Sequence, residues 1–191
     1  MTLYRKGQMM TVVGRVAGWL HPLLDTTIVR RTRRNHALEH ATIHMLNRQR
    51  FRLSGRSWDS GFVIYGDVPT ERVEAALQEA LRRMRKGESQ WAIHPNCGTN
   101  LVTTGLLTTL VAAFGFTGAD RRAAWERFPL VAVFMIGALL FSQPLGLDIQ
   151  RHITTNGDLG DLDVVSVTRR EMKMPLSNRK TTVHHVMTCN G

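Results

Sequence analysis

Residues 34–46 read RNHALEHATIHML, and the spacing of their histidines decides how the rest of the chain is interpreted. His36, His40 and His44 recur every four residues, with Glu39 as the only acid among them. On an α-helix, side chains four apart are separated by about 40° around the axis and by one turn along it. His36 and His40 therefore share a face, and His44 continues it with a further rotation. Two imidazoles so placed can hold one metal ion. Glu39 lies on the flank, about 60° from His36, within reach of a metal-bound water. The other face, with Ala37, Leu38, Ala41, Met45 and Leu46, is apolar, whereas RRTRRN (30–35) and NRQR (47–50) on either side are basic. A helix with so little charge at its centre is expected to be buried on most sides, and buried imidazoles need partners. A metal is one such partner, and a hydrogen-bonded histidine network is another.

A second cluster, IHPNCGTN at 93–100, stands immediately before a long uncharged run. Pro95 and Gly98 suit a tight turn, and Asn96, Thr99 or Asn100 can cap the helix that follows. Cys97 then lies near that helix N-terminus, whose partial positive charge favours thiolate, a zinc ligand and a nucleophile. His94 can join it as a ligand or serve as its base. A purely structural turn, with Cys97 packed as a small hydrophobe and His94 bonded to backbone, fits the same letters. The joint expectation is a site for zinc or another transition metal built from His36, His40, His44, His94 and Cys97. Glu39 would be its general base if one coordination position is open. His21 and His152 read as interface or loop residues. His184 and His185 fall on opposite faces of a strand, so at most one can join a common site, and solvent is their default.

The chain has 191 residues, a formal charge of +10 and a sequence pI of about 10.9, which calls for an acidic partner. Aromatic residues make up only 7% and are not interleaved with basic ones, so no nucleic acid is expected. Anionic lipid headgroups of a bilayer fit the charge equally well. The two cysteines, Cys97 and Cys189, form no CxxC pair, which suits a reducing compartment. Arg15 interrupts the apolar N-terminal stretch, so no signal peptide is expected.

Between Glu88 and Asp120 there is no charged side chain, and FPLVAVFMIGALLFSQPLGL (128–147) is a second uncharged run. Each approaches the ~20 residues that cross a bilayer as a helix. Thr and Gly in the first run suit helix–helix contact, and the second shows no polar stripe of the kind a soluble helix carries. The region up to residue 97 holds sixteen Lys/Arg, the linker between the runs three and the tail six. The positive-inside rule then predicts the inner (plasma) membrane, with the N-terminal region and the C-terminal tail cytoplasmic.

In the polar part, GFVIYG (61–66) reads as a strand after a basic connector (48–56), DVPTERVEAALQEALRRMRKGE (67–88) as a helix and QWAIH (90–94) as a second strand. That succession predicts a βαβ unit with parallel strands. LDVVSVTRREM (162–172) and TTVHHVM (181–187) read as later strands, after an ordered turn-rich loop at 154–161. The predicted architecture is α+β: a small cytoplasmic domain with a βαβ unit and a His-rich helix, interrupted by a two-helix transmembrane hairpin. Its expected divisions are a membrane-surface amphipathic segment (1–29), a soluble α+β region (30–97), the hairpin (98–147) and C-terminal strands completing the soluble domain (148–191).

HALEH (36–40) resembles the H-x-x-E-H motif of the inverted-zincin metallopeptidases. That resemblance implies zinc ligation by His36 and His40 with Glu39 activating water. It covers five residues, and no glutamate here is marked as the distant third ligand of that family. Across most of the chain, RNHALEHATIH, HPNCGTNL and QRHITTNGDLGDL resemble the signatures of an uncharacterised family of small bacterial membrane proteins, known as a domain of unknown function. This wider resemblance implies the membrane hairpin and a link between the two clusters, and it brings no activity with it. The leading functional expectation is a membrane-anchored metal site, extending to a zinc-dependent hydrolase. The alternatives are a thiol enzyme using Cys97 as nucleophile and a non-enzymatic subunit that assembles a membrane-protein complex.

Overall fold

The structure, a computed structural model, describes residues 11–49, 51–173 and 180–191. The chain divides into two units, 1–93 with 151–191, and 94–150. The first unit contains α1 (Val12–Trp19), α2 (His21–Leu24), α3 (Thr27–Asn47), β1 (Ser54–Trp58), β2 (Gly61–Tyr65) and α4 (Thr70–Arg85). After the second unit come β3 (Asp163–Lys173) and β4 (Lys180–Cys189). The part of the N-terminal segment before Thr11 lies outside the described residues. Its remainder is helical, as expected, but broken before Pro22, which occupies the first turn of α2.

The core of this unit forms where two helical stripes meet one face of a sheet. Ala37, Leu38, Ala41, Met45 and Leu46 of α3 are buried, and so are Val73, Ala76, Leu77, Ala80, Leu81 and Met84 of α4. Phe62 and Ile64 of β2 and Val186 of β4 complete the cluster. Each of these larger apolar side chains contributes roughly 1.5–3 kcal/mol by leaving water. Gly87, at φ 87°, ends α4 in the left-handed region that glycine tolerates.

The sheet order is β1-β2-β4-β3 and every pairing is antiparallel. The parallel βαβ expectation is therefore overturned. Both edges of β2 are taken, by β1 and by β4, and QWAIH is no strand: Ser89–Ala92 form a 3₁₀ turn. The guanidinium groups of Arg48 and Arg83 lie 5.5 and 5.3 Å from the ring centre of Trp91 in that turn, and its Nε1 donates to Glu88. The backbone beyond it faces α3, as described below. The connector was also read too long, since β1 begins at Ser54. β3, β4 and the loop before β3 occur where the pattern placed them.

His184 departs from its solvent default. It pairs across from Ile64 and is fully buried on the helix-facing side of β4, with Nε2 3.2 Å from Thr70 Oγ1. Among the described residues its Nδ1 has no hydrogen-bond partner. Burial first, and then Arg169 on the neighbouring strand, lower its pKa; Glu71 and Glu74 of α4 oppose them.

The second unit is a helical hairpin, α5 (Gly98–Phe116) and α6 (Arg121–Ile149), and α6 runs on into a π-helical turn at Gln150–Thr154. The expected linker is mostly helix, so the reversal is confined to 117–120, with Gly118 at φ 66° and Asp120 capping α6 by accepting from Ala123 N at 2.8 Å. Small and hydroxylated residues bring the two helices together, as the Thr- and Gly-rich composition suggests. Thr104 Oγ1 donates to Ser142 Oγ at 2.7 Å, and a Cβ on Gly115 or Gly146 would collide with Val131 or Asn100. Both helices are long and apolar enough to cross a membrane, and little of either apolar window is buried, only 11% and 17%.

A titration follows from His184. Its pKa in the folded chain lies below the ordinary 6.5, so the unfolded chain takes up the proton first as pH falls. The neutral, folded state loses stability through and below that value. The melting temperature of the wild type should therefore fall between about pH 7.5 and pH 5 more steeply than that of His184→Gln, which cannot titrate there. Parallel curves for the two proteins would contradict this reading.

Candidate metal centre

α3 presents its polar side chains to segments that have irregular backbone, and those segments need donors. His36 Nδ1 lies 2.9 Å from Thr154 O, and His40 Nδ1 lies 2.7 Å from Ala92 O. A carbonyl can only accept, so Nδ1 carries the proton in both rings, and each neutral ring has its lone pair on Nε2. The two rings are neighbours, with centroids 4.3 Å apart and planes inclined at 60°. His40 is buried and His36 half-buried. Imidazoles that ligate a metal through one nitrogen almost always donate the other N–H to a carbonyl or carboxylate, which fixes the ring. His36 and His40 both have that arrangement.

His44 shares the helix but not the pose. Its Nε2 is the atom on backbone, 2.7 Å from Ile93 O, and its ring meets the edge of Trp91 at 5.7 Å. The continued rotation along α3 turns this third histidine toward the 3₁₀ turn and orients its ring the other way. Spacing alone suggested three equivalent imidazoles; the structure makes two alike and one different.

In the second unit, His94 is buried and its Nδ1 accepts from Asn96 N at 3.2 Å, so a neutral ring has its proton on Nε2. This is the backbone-bonded turn that the sequence also allowed. Its own N–H donates to Gln150 Oε1 at 3.0 Å, while Gln150 Nε2 donates to Asn100 Oδ1 and Asn100 Nδ2 to Pro95 O, at 2.8 and 2.6 Å. Asn96, Thr99 and Asn100 are not the cap of α5. Cys97 itself is: its Sγ accepts from Thr99 N at 3.4 Å. That places the thiol of Cys97 at the first turn of α5, buried.

Glu39 is buried, and its carboxylate accepts a short hydrogen bond from Ser57 Oγ on β1. Gly55, two residues earlier on the same strand face, has no Cβ because Glu39 fills that space. Burial raises the pKa of Glu39, and the Ser57 hydroxyl and the nearby His36 draw it partly back. In this pose the carboxylate fastens α3 to the sheet. Sequence reasoning missed Ser57 and Gly55 as its seat. SGRSW carries no alternating pattern, and the signal to look for was a small residue beside a hydroxyl on a strand opposite a buried acid. Ser57→Ala should leave that carboxylate without a donor and destabilise the protein by about 1–3 kcal/mol. Denaturant titration of the full chain in detergent, beside wild type, would measure the loss; an unchanged midpoint would show that the bond contributes nothing.

Comparison with known proteins follows the same outline. The profile of a domain of unknown function, DUF6391, matches residues 31–167, which include α3 from Arg31 on, the turn at 94–97 and both apolar helices. An uncharacterised protein of Picosynechococcus sp. is 37% identical over 141 residues, covering 64% of this chain and 65% of its own length. The chain thus spans just under two thirds of that relative. No solved structure matches it. With 31–167 matched, the chain belongs to the DUF6391 family.

Proposed function

We propose that this chain is a membrane-anchored protein that binds one transition-metal ion, zinc being the default, through His36 and His40 of α3, with Cys97, the thiol that the sequence offers, as a further donor. The observation that carries the reading is the matched pose of His36 and His40, each with Nδ1 on a backbone carbonyl and the two rings adjacent. Such rings offer Nε2 lone pairs in fixed orientation, which suits a borderline-soft ion. Cys97 is the natural third donor. It lies five residues beyond Ala92, whose carbonyl His40 holds, and five residues extend at most ~18 Å. Thiolate and imidazole together favour zinc over the hard, oxygen-preferring cations. His44 and His94, whose rings bond to the backbone of Ile93 and Asn96, are not ligands in this proposal. Glu39 is held by Ser57, so no hydrolytic step is included.

The anchor in this reading is the hairpin of α5 and α6, whose exposed faces carry Leu101, Val102, Phe114, Leu130 and Phe141. An inner-membrane setting with both flanks cytoplasmic is supported by the basic excess outside the hairpin, and the bilayer's anionic headgroups are the expected partner.

Purified in detergent and analysed by elemental mass spectrometry, the wild type should carry about one equivalent of metal. His36→Ala, His40→Ala and Cys97→Ala should each lose most of it, whereas His44→Ala should keep it. Folded wild-type protein that stays metal-free after zinc supplementation, or equal metal in His40→Ala, would overturn the proposal.

A further inference from the structure

The helix that carries the histidines has a second polar face. Arg30, Arg31 and Arg34 lie within an arc of about 100° on α3, whose nearest edge, Arg30, is about 80° around the axis from His40 and about 120° from His36. They line a cleft of about 560 Å³ in the first unit, together with Thr27, Asp25 and Asp161. Two of the guanidinium groups are paired with carboxylates that also line the cleft: Arg30 lies 3.5 Å from Asp25, and Arg34 lies 3.7 Å from Asp161 while its Nε donates to Asp158 O. The Nε atoms of Arg30 and Arg31 are buried without a hydrogen-bond partner among the described residues, as is that of Arg33, which does not line the cleft. A buried guanidinium N–H without an acceptor is costly to leave unmade. For the guanidinium groups that line the cleft, the oxygens of a phosphodiester are the best complement, because the planar fork matches them in twos.

What leads up to this cleft is apolar and faces outward. Val12, Val16, Trp19 and Leu23 recur at helical spacing through α1 and α2 and are exposed, Trp19 by 89%. The opposite side of α1 is the one that meets protein, where the Cβ position of Gly14 lies 3.6 Å from the His152 ring. The amphipathic helix is thus turned with its apolar stripe away from the fold, and Ile28, exposed at the start of α3, extends the stripe toward the arginines. Apolar residues in water beside a cationic cleft form the pattern of a helix seated in a headgroup layer.

We infer that this cleft is a binding site for an anionic phospholipid, with the phosphodiester on Arg31 and Arg30 and the acyl chains along Trp19, Leu23 and Ile28. The inference rests on the membrane setting proposed above and adds a specific lipid class and address to it. A net charge of +10 supplies the long-range attraction, and the cleft supplies the selection.

Native mass spectrometry of the full chain, released from detergent with added dioleoyl phosphatidylglycerol or phosphatidylcholine, tests it. Wild type should retain one phosphatidylglycerol in preference to phosphatidylcholine, and Arg31→Gln should retain it about tenfold less well at unchanged melting temperature. Arg31→Lys, which keeps charge without the fork, should fall between them. Trp19→Ser, at a fully exposed position, should also weaken retention and serves as the test if Arg31→Gln does not fold. Excess inorganic phosphate should leave the lipid in place. Wild-type retention in Arg31→Gln, or displacement by inorganic phosphate with Trp19→Ser unaffected, would overturn the lipid assignment, the second outcome pointing to a free anion. Carbonate washing of membranes reads the hairpin separately. Wild type and Arg31→Gln should both stay in the pellet, and release of both would refute the anchor whatever the cleft binds.

Discussion

The structure depends on one helix satisfying backbone carbonyls that no secondary structure serves. Along α3, Arg33 donates to His152 O and Thr155 O, Arg34 to Asp158 O and Asn35 to Trp58 O and Asp59 O. His36, His40 and His44 then take Thr154, Ala92 and Ile93 in turn. A buried, unpaired carbonyl costs free energy comparable to a lost hydrogen bond. These side chains therefore order the β1–β2 turn, the 3₁₀ turn and the loop before β3. Ala92 and Ile93 are the last residues of the first unit before the second, and the first unit resumes at Arg151, shortly before Thr154 and Thr155.

The same hydrogen bonds prepare the metal site in our account. A histidine that spends Nδ1–H on a carbonyl has its tautomer and ring plane set before any ion arrives, which removes an ordering cost from binding. His36 and His40 meet that condition as a pair, and His44, turned by the continued rotation of the helix, uses its other nitrogen. The helix accordingly has three jobs on three faces. Its apolar stripe enters the core, its histidine face holds carbonyls and offers ligands, and its arginine face lines the cleft below α2.

Much of this was legible in the residues. The 3.6-residue periodicity of α3 identified its buried apolar face, alternation identified β3 and β4, and charge silence identified the apolar helices. The parallel sheet was misread because QWAIH looks like an apolar strand run in isolation. Its fate is decided by His40 and His44, fifty residues earlier, which claim its carbonyls. β1 was hidden because Ser54, Gly55, Arg56 and Ser57 lack strand patterning; pairing with β2 and the need to seat Glu39 make it a strand. Cys97 was rightly placed at the start of α5 but not recognised as the cap, since thiols are uncommon there. For His184 the two faces of β4 were readable, but which one would be covered depended on α4.

The central claim is that His36, His40 and Cys97 form one ligand set, and X-ray absorption at the metal edge tests it most directly. For zinc-loaded protein the account predicts one sulfur scatterer at about 2.3 Å and imidazole nitrogens at about 2.0 Å, with the sulfur lost in Cys97→Ala. A first shell of oxygens alone, or a shell with imidazole but no sulfur in the wild type, would contradict it.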